Sequence, residues 1–177
     1  MTETAGSQLV SPTLEPPGPR LRVAITADID AITTLWHRGW PDGHLGHVPE
    51  ALLRHRGLAD FRSRVPALLD RTTVATIGPD LAGFVMVHDD EIEQIYVAET
   101  ARGSGVAAAL LRHAESAIGE RFDLAWLAVV AGNARARRFY ARNGWQDAGL
   151  FEHEAPIEGG SIPLAAHRYQ KRIHRRP

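Results

Sequence analysis

The chain has 177 residues, of which 44% are hydrophobic and 23% charged, and these are ordinary values for one globular domain with a single core. Its 20 Lys+Arg and 21 Asp+Glu leave a net charge of −1 with no long block of one sign, so neither nucleic acid nor an anionic membrane surface is expected as a partner. The absence of cysteine excludes disulfides, thiolate metal sites and a cysteine nucleophile, and the longest apolar runs are too short to span a bilayer.

Residues 1–19 are expected to form a flexible N-terminal tail, because they contain four prolines and scattered polar residues without hydrophobic periodicity. A single domain is therefore expected over residues 20–177. The N-terminus shows no basic segment followed by an apolar core, which gives no support for secretion and leaves the cytoplasm as the expected location.

The first half of the chain predicts one strand, two helical stretches and a hairpin. Strand Leu21–Ile25 is followed by an amphipathic helix, which is expected to stop in a loop of turn-forming residues that begins at Gly39. A second helical stretch follows and is expected to break at Gly57. Segments Thr72–Ile77 and Leu81–His88 then predict two strands joined by a tight turn.

The most informative stretch joins a strand to a helix through a turn with two glycines. Strand Glu91–Val97 is rich in β-branched and aromatic residues, and apolar residues from Ala107 to Ile118 keep helical spacing. Between them lies Arg102-Gly103-Ser104-Gly105-Val106-Ala107, where the glycines let the backbone approach a ligand closely. The unpaired amides and the dipole of the helix start favour an anion there, such as a phosphate or pyrophosphate.

Three phosphate-binding motifs compete for this turn. A Walker loop needs a glycine followed by lysine, and Lys171 is the only lysine in the chain. A dinucleotide-binding loop can accept Ala108 at its third glycine position, but it follows the first strand of a doubly wound sheet, whereas this turn lies past the middle of the chain. The third alternative fits better, because Arg102 to Ala107 resembles the Arg/Gln-x-x-Gly-x-Gly/Ala signature of the GCN5-related N-acetyltransferase (GNAT) family.

A downstream segment supports the same resemblance. The predicted strand Leu124–Val130 is followed by a stretch from Asn133 to Trp145 that is similar to the family's Asn-x-x-Ala-x-x-Phe-Tyr-x-x-x-Gly-Phe segment, with Trp145 in place of the final Phe. Because both motifs occur in the right order and at about the right distance, the chain is identified as a member of the GNAT family. The looser similarity extends from about Leu21 to Ile173.

Two final strands, Gln146–Glu154 and Ile162–Arg172, complete the order β–α–α–β–β–β–α–β–α–β–β. The pattern alone supports a mixed α/β or α+β sandwich with a largely antiparallel sheet. The resemblance implies the GNAT fold, in which helices flank a mixed sheet and the fourth and fifth strands splay apart around the pantetheine arm of acetyl-CoA.

The resemblance also implies which residues bind acetyl-CoA. Backbone groups of Ile95, Tyr96 and Val97 would contact the acetyl and pantetheine groups, and the turn from Arg102 to Ala107 would hold the pyrophosphate. Ordinary strand packing and a tight turn without a ligand are the alternatives. Asn133 would also contact the cofactor, although it stands where a helix N-cap belongs.

Tyr140 matches the family's frequent general acid, which contacts the cofactor and protonates the departing sulfur; the alternative is a core tyrosine. Trp40 and His44 lie in the region that lines the acceptor pocket in the family. No histidine or carboxylate spacing indicates a metal site, so no metal is expected.

The sequence leaves the identity of the general base open. Some family members carry a glutamate on the fifth strand, but the corresponding positions here are Ala128 and Val129. Glu91 and Glu93 are the candidates, expected on one strand face with Ile95, and Glu91 is the better match. Solvated carboxylates are the alternative for both, and some members use water instead of a named base.

These residues predict an acetyl-CoA-dependent N-acetyltransferase that acetylates a primary amine of a small molecule by direct attack in a ternary complex. A protein N-terminal or lysine acetyltransferase is the first alternative, and a non-catalytic acyl-CoA sensor is the second. A homodimer is left open.

Overall fold

The computed structural model describes residues 18–173, so the predicted tail of residues 1–19 lies outside the described residues except for its last two positions. The strands are β1 Arg20–Val23, β2 Thr72–Ile77, β3 Asp80–His88, β4 Glu91–Val97, β5 Leu124–Val130, β6 Gln146–Ile157 and β7 Gly160–Arg172. They form one sheet in the order β1-β2-β3-β4-β5-β7-β6, and every neighbouring pair is antiparallel except β4 and β5. The predicted mixed, largely antiparallel sheet is confirmed.

The α-helices are α1 Ile29–His44, α2 Glu50–Leu53, α3 Leu58–Arg64, α4 Val106–Gly119 and α5 Ala134–Arg142. The break expected at Gly57 is present, and the Gly57 amide donates to the Asp60 carboxylate at the start of α3. The helix then tightens into a 3₁₀ segment, Val65–Arg71, whose second residue is Pro66. None of the helices between residues 18 and 173 is long and apolar enough to cross a membrane.

The sheet separates two hydrophobic cores. Helices α4 and α5 cover one face, and α1 and α3 cover the other. The largest fully buried side chains are Leu110, Leu111, Ile118 and Leu127 on the first face and Ile32, Trp36, Phe61 and Phe84 on the second. Burial of apolar surface on both faces, at roughly 25 cal/mol per Å², holds the sheet between its helices.

Strands β4 and β5 touch at one end and then diverge. Their register contains a single pair, Glu91 with Trp126, and the Trp126 amide donates to the Asp90 carbonyl at 2.9 Å. Beyond this point each strand keeps its other neighbour, so a gap opens towards the carboxyl ends of both. The predicted splay of the fourth and fifth strands is confirmed.

Helix α1 is longer than predicted. The sequence predicts a stop from Gly39 onwards, but the helix continues to His44. A Cβ at Gly39 would lie 2.7 Å from the Tyr96 ring, and a Cβ at Gly43 would lie 2.5 Å from the Asn133 side chain. These two glycines, four residues apart on one helix face, serve close packing against the sheet and α5 rather than a turn.

The expected alternation of β4 is also wrong. The register between β3 and β4 shifts opposite Glu93, which has no partner on β3. Ile92 and Ile95 pack into the same core although they are three positions apart, because the bulge changes the phase of the strand. Glu91 and Glu93 flank Ile92 and lie on the other side of the sheet, so they do not share a face with Ile95.

Candidate active site

A cavity of about 570 Å³ occupies the gap between β4 and β5 and extends to α1 and α3. It brings together almost every residue that the sequence singles out. These residues are Trp40, His44, Glu91, Glu93, Ile95, Tyr96, Val97, Arg102, Gly103, Gly105, Val106, Ala107, Asn133 and Tyr140. Ser104 is the one candidate that does not line it.

The turn before α4 is built to expose backbone amides. Gly103 and Gly105 have φ values of 82° and 84°, in the left-handed region that glycine adopts readily, and a Cβ at either would meet nothing within 4 Å. Within residues 18–173, the amides of Gly103, Gly105 and Val106–Ala108 have no hydrogen-bond partner. Together with the positive end of the α4 dipole, they form an open site for an anion.

Asp42 connects this turn to the two helices beside it. Its carboxylate, near the end of α1, pairs with Arg102 and lies 3.6 Å from the guanidinium of Arg135 at the start of α5. The sequence gives no signal for Asp42, because only the fold brings three separate segments together. The Ser104 hydroxyl donates to the Ala101 carbonyl at 2.6 Å, which closes the turn; its contact with a cofactor stays a prediction.

Asn133 uses both ends of its side chain. The Oδ1 atom accepts from the Ala136 amide at 3.0 Å, so Asn133 is the N-cap of α5. Its amide nitrogen faces Gly43 of α1, and the residue also lines the cavity. The cap considered from the sequence is present, and it fixes the side chain at the edge of the gap.

Tyr140 is a core tyrosine that also lines the cavity, and its role as a general acid stays a prediction. It is 7% exposed and packs against Phe139, Trp145 and Tyr169 at ring distances of 5.3, 6.1 and 6.0 Å. Its hydroxyl has no hydrogen-bond partner in the described part of the chain, yet it is not sealed from the cavity. Burial, followed by the nearby Tyr96, raises the pKa of the Tyr140 phenol, so the hydroxyl keeps its proton and can donate it.

The two glutamates of β4 differ in their surroundings. Burial, and then the charges of Glu93 and Asp90, raise the pKa of Glu91 to about 7, while Arg168 and Arg71 oppose the shift. The Glu93 carboxylate lies 3.5 Å from the Arg71 guanidinium and is held by that cation. A carboxyl group that titrates near neutral pH is suited to accept a proton from an amine, which distinguishes Glu91 from Glu93.

The end of the cavity beside α1, where the sequence predicts the acceptor pocket, has aromatic walls. The Trp40 and His44 rings stack with centroids 4.5 Å apart. The His44 Nδ1 atom lies 2.7 Å from the Trp40 carbonyl oxygen, which can only accept, so Nδ1 carries the proton. Burial lowers the pKa of His44 to about 4, and the ring is therefore neutral at pH 7. Arg56 and Arg64, which the sequence does not single out, complete this end.

No cluster of three or more His, Asp or Glu side chains among the described residues is arranged to hold a metal ion. The candidate chemistry of the cavity therefore rests on an anion-binding turn, a phenol, a carboxyl group of raised pKa and aromatic walls. Each of these elements comes from a different segment of the chain, between α1 and α5.

Comparisons with known proteins agree with this geometry. The model of the acetyltransferase (GNAT) family matches residues 29–145. Similar solved structures include a GCN5-related N-acetyltransferase from Rhodopseudomonas palustris, with a TM-score of 0.69 and 20% identity over 90% of this chain and 99% of that chain. A ribosomal-protein-alanine N-acetyltransferase from Brucella melitensis gives a TM-score of 0.66 and 20% identity over 87% and 99% of the two chains.

The protein yncA from Salmonella typhimurium, solved with acetyl-CoA as its cofactor, has a TM-score of 0.59 and 17% identity over 91% of this chain and 97% of that chain. No curated protein sequence matches the chain significantly. The family model spans well over half of the 177 residues, and its two motifs form the walls of the cavity. The chain belongs to the acetyltransferase (GNAT) family.

Proposed function

We propose that the protein is an acetyl-CoA-dependent N-acetyltransferase that acetylates a primary amine of a small molecule by direct attack in a ternary complex. The observation that carries this proposal is one cavity lined by the open turn at Gly103–Ala107, the splayed strands, Tyr140 and Glu91. The solved structure of yncA with acetyl-CoA supports the choice of cofactor.

The described residues fit this cofactor at two places. The free amides of Gly103, Gly105 and Val106–Ala108 suit a pyrophosphate, since they lie at a helix N-terminus. Among the described residues, the edge of β4 that faces β5 has no strand partner beyond Glu91, so backbone groups of Ile95 and Val97 are available to amides of an extended ligand. Those of Tyr96 face Phe84 on β3, because hydrogen-bonded pairs alternate along an antiparallel ladder. Acetyl-CoA would supply an acyl group that is already activated as a thioester.

The reaction then requires two proton transfers. The Glu91 carboxylate accepts a proton from the acceptor's amine nitrogen, directly or through water. The Tyr140 hydroxyl donates its proton to the departing sulfur. Glu93 holds Arg71 near the same entrance and is the second candidate for the base.

The shape of the cavity favours a small acceptor over a protein chain. Its acceptor end is enclosed by α1 and α3 on one side and by His153, Ala155 and Pro156 of β6 on the other. Acetylation of a protein N-terminus or a lysine is the alternative, and the Brucella melitensis enzyme bears such a name. A cytoplasmic location belongs to the same proposal, because the reaction draws on an acyl-CoA pool.

The test is thiol release from acetyl-CoA in the presence of amino acids, polyamines, aminoglycosides and short peptides, beside calorimetry with acetyl-CoA alone. We expect tight cofactor binding and amine-dependent thiol release with at least one small amine. Binding without any amine-dependent release would favour the acyl-CoA sensor. A chain that binds no acetyl-CoA would contradict the proposal altogether.

A further inference from the structure

Two arginines at the acceptor end of the cavity lack an anionic partner among residues 18–173. Arg56 follows α2 and Arg64 ends α3; both are half-buried and both line the cavity. The Arg56 guanidinium donates to the carbonyl oxygens of His55 at 2.7 Å and Pro156 at 3.0 Å, which carry no net charge. Arg64 forms no hydrogen bond and no ion pair with any residue between 18 and 173.

Two of the three other partly buried arginines among residues 18–173 have a carboxylate partner: Arg71 pairs with Glu93, and Arg137 with Asp147. The third, Arg168, lies over the Trp126 ring without an ion pair, but it does not line the cavity. A charge withdrawn from water without an ion pair is costly, and such groups normally have partners. The lack of partners for Arg56 and Arg64 therefore points to an anion that arrives with a ligand.

Aromatic rings hold both guanidiniums in place. The Arg64 Cζ atom lies 4.7 Å from the centroid of the Trp36 ring, and the Arg56 Cζ atom lies 5.8 Å from that of Trp40. Arg64 therefore keeps its N–H edge free for a planar, two-oxygen acceptor such as a carboxylate, and Arg56 keeps the N–H groups that it does not donate to the two carbonyl oxygens. The same rings supply an apolar surface beside that edge.

The surrounding charges leave this end of the cavity positive. Burial, followed by repulsion from Arg64, lowers the pKa of Arg56 to about 10, so it is still charged at pH 7. Asp60 attracts both arginines from a distance, and Glu93 attracts Arg64. Neither carboxylate forms an ion pair with them, and that of Glu93 already lies against Arg71. The neutral His44 adds no charge. A cationic acceptor such as a polyamine would meet repulsion here, whereas an acceptor with an anionic group would be attracted.

We infer that the acceptor amine carries a free carboxylate, which binds to the guanidiniums of Arg56 and Arg64, and that its apolar body packs on Trp36 and Trp40. The predicted substrate class is that of amino acids with apolar side chains. This inference rests on the proposed function and names the acceptor for the same site.

The first test compares matched acceptors on the wild-type protein. Apolar amino acids with one to four carbons between amine and carboxylate are each paired with the carboxamide and with the amine that lacks the carboxyl group. Thiol release is compared per concentration of unprotonated amine, because the carboxylate also changes the acceptor's own pKa. We expect kcat/KM for the best acid to exceed that of its amide about 10- to 100-fold, as for other hydrogen bonds to charged groups.

The second test uses variants. R64Q and R56Q should lower kcat/KM for the acid about 10- to 100-fold and leave that for the amide within about two-fold, while R64K should keep part of the preference. R62Q is the matched control, because Arg62 lies on the same helix, points to solvent and pairs with Asp30. Calorimetry with the N-acetylated acid and its amide gives a readout without turnover, and R64Q should abolish the difference between them.

The outcomes separate the two proposals. A wild-type protein that acetylates amides, plain amines or polyamines as well as the acids would overturn the inference and leave the N-acetyltransferase in place. Equal calorimetric affinity for the N-acetylated acid and its amide would overturn it as well. No amine-dependent thiol release with any acceptor would overturn the proposed function and, with it, this inference.

Discussion

Glu91 and Glu93 stand two positions apart on β4, and their carboxyl groups have different surroundings. The pKa of Glu91 is raised to about 7, chiefly by burial, whereas Glu93 is held by Arg71. Below pH 7 a growing share of Glu91 is protonated and cannot accept a proton from the amine. The rate should therefore rise with pH through about 7 and flatten above it.

The variant E91Q tests this assignment. We expect its amine-dependent turnover at pH 7 to fall about 10- to 100-fold, with partial recovery at high pH as more of the acceptor loses its own proton. The inflection near pH 7 should disappear from the pH–rate profile, measured where chemistry limits turnover. E93Q is the control and should keep the inflection. Identical profiles for both variants would mean that water or the acceptor itself performs the deprotonation.

Tyr140 is the residue best placed to supply a proton to the leaving sulfur. Burial raises the pKa of its phenol, which keeps the donor protonated. A thiolate whose thiol has a pKa of about 8.5 is a tolerable leaving group even when no group protonates it. Turnover of Y140F should therefore fall by about 10², at the low end for positioned proton transfer. Acetyl-CoA affinity and thermal stability should barely change, because the ring and its packing remain. Wild-type turnover in Y140F would reduce the residue to a packing role.

At the scale of elements, the turn between β4 and α4 is the part that we propose binds the anion. In G105D a side chain would block the open amides and a carboxylate would repel a pyrophosphate, so acetyl-CoA affinity should drop at least about 100-fold. The left-handed φ costs an ordinary residue about 1–2 kcal/mol, while an acidic group at a helix N-terminus recovers about 0.3–1 kcal/mol. The variant should still fold, and calorimetry measures its affinity.

G159D is the matched control for that experiment. Gly159 has φ of 77° and open space around it, much like Gly105 at 84°, but it lies in the turn between β6 and β7 and does not line the cavity. The variant G159D therefore has the same backbone strain and the same added charge as G105D, but its acetyl-CoA affinity should match that of the wild type. Unchanged affinity in G105D would contradict the placement of the anion at the turn.

Some elements can be predicted from the local sequence, whereas others depend on tertiary packing. The strand–turn–helix around Gly103 and Gly105 and the cap at Asn133 are local features, and local spacing predicts them. The continuation of α1 past Gly39 depends on close packing against Tyr96, which no local pattern encodes. The bulge at Glu93 likewise follows from pairing with β3, and it reverses the face that simple alternation predicts.

For the same reason the sequence does not single out the two arginines that line the cavity. Arg56 and Arg64 belong to segments that look like ordinary helical surface, and neither residue is part of a recognisable motif. Their significance comes from burial beside Trp36 and Trp40, which only the assembled fold provides. Residues that meet through tertiary packing can be found only after the helices have been placed.

At the scale of the whole molecule, the open gap between β4 and β5 removes hydrogen bonds from the centre of the sheet, and other contacts must join its two halves. Lys171 of β7 is one of them. Its ammonium donates to both carboxylate oxygens of Glu115 on α4, at 2.8 and 2.9 Å, and to the Asn143 carbonyl at 2.9 Å. The Trp145 indole donates to the same carboxylate at 2.8 Å. This network ties the last strand and the α5–β6 turn to the helix that begins at the anion site.

The variant K171M tests how much that tie contributes. The side chains of Lys171 and Glu115 are 26% and 15% exposed, so the pair lies between a surface ion pair, worth about 0–1 kcal/mol, and a buried pair, whose disruption costs about 3–5 kcal/mol. We expect K171M to lose about 2 kcal/mol of unfolding free energy, or about 4–8 °C in Tm for a chain of this size. E115Q should lose less, because the amide oxygen can still accept from Trp145, and the double variant should show a coupling of about 1 kcal/mol or more. R62Q breaks the exposed pair with Asp30, at 62% and 73% exposure, and should change stability by less than about 1 kcal/mol. Urea unfolding of the four variants measures these free energies. Additive losses in the double variant would show that Lys171 and Glu115 act independently and that other contacts join the two halves of the sheet.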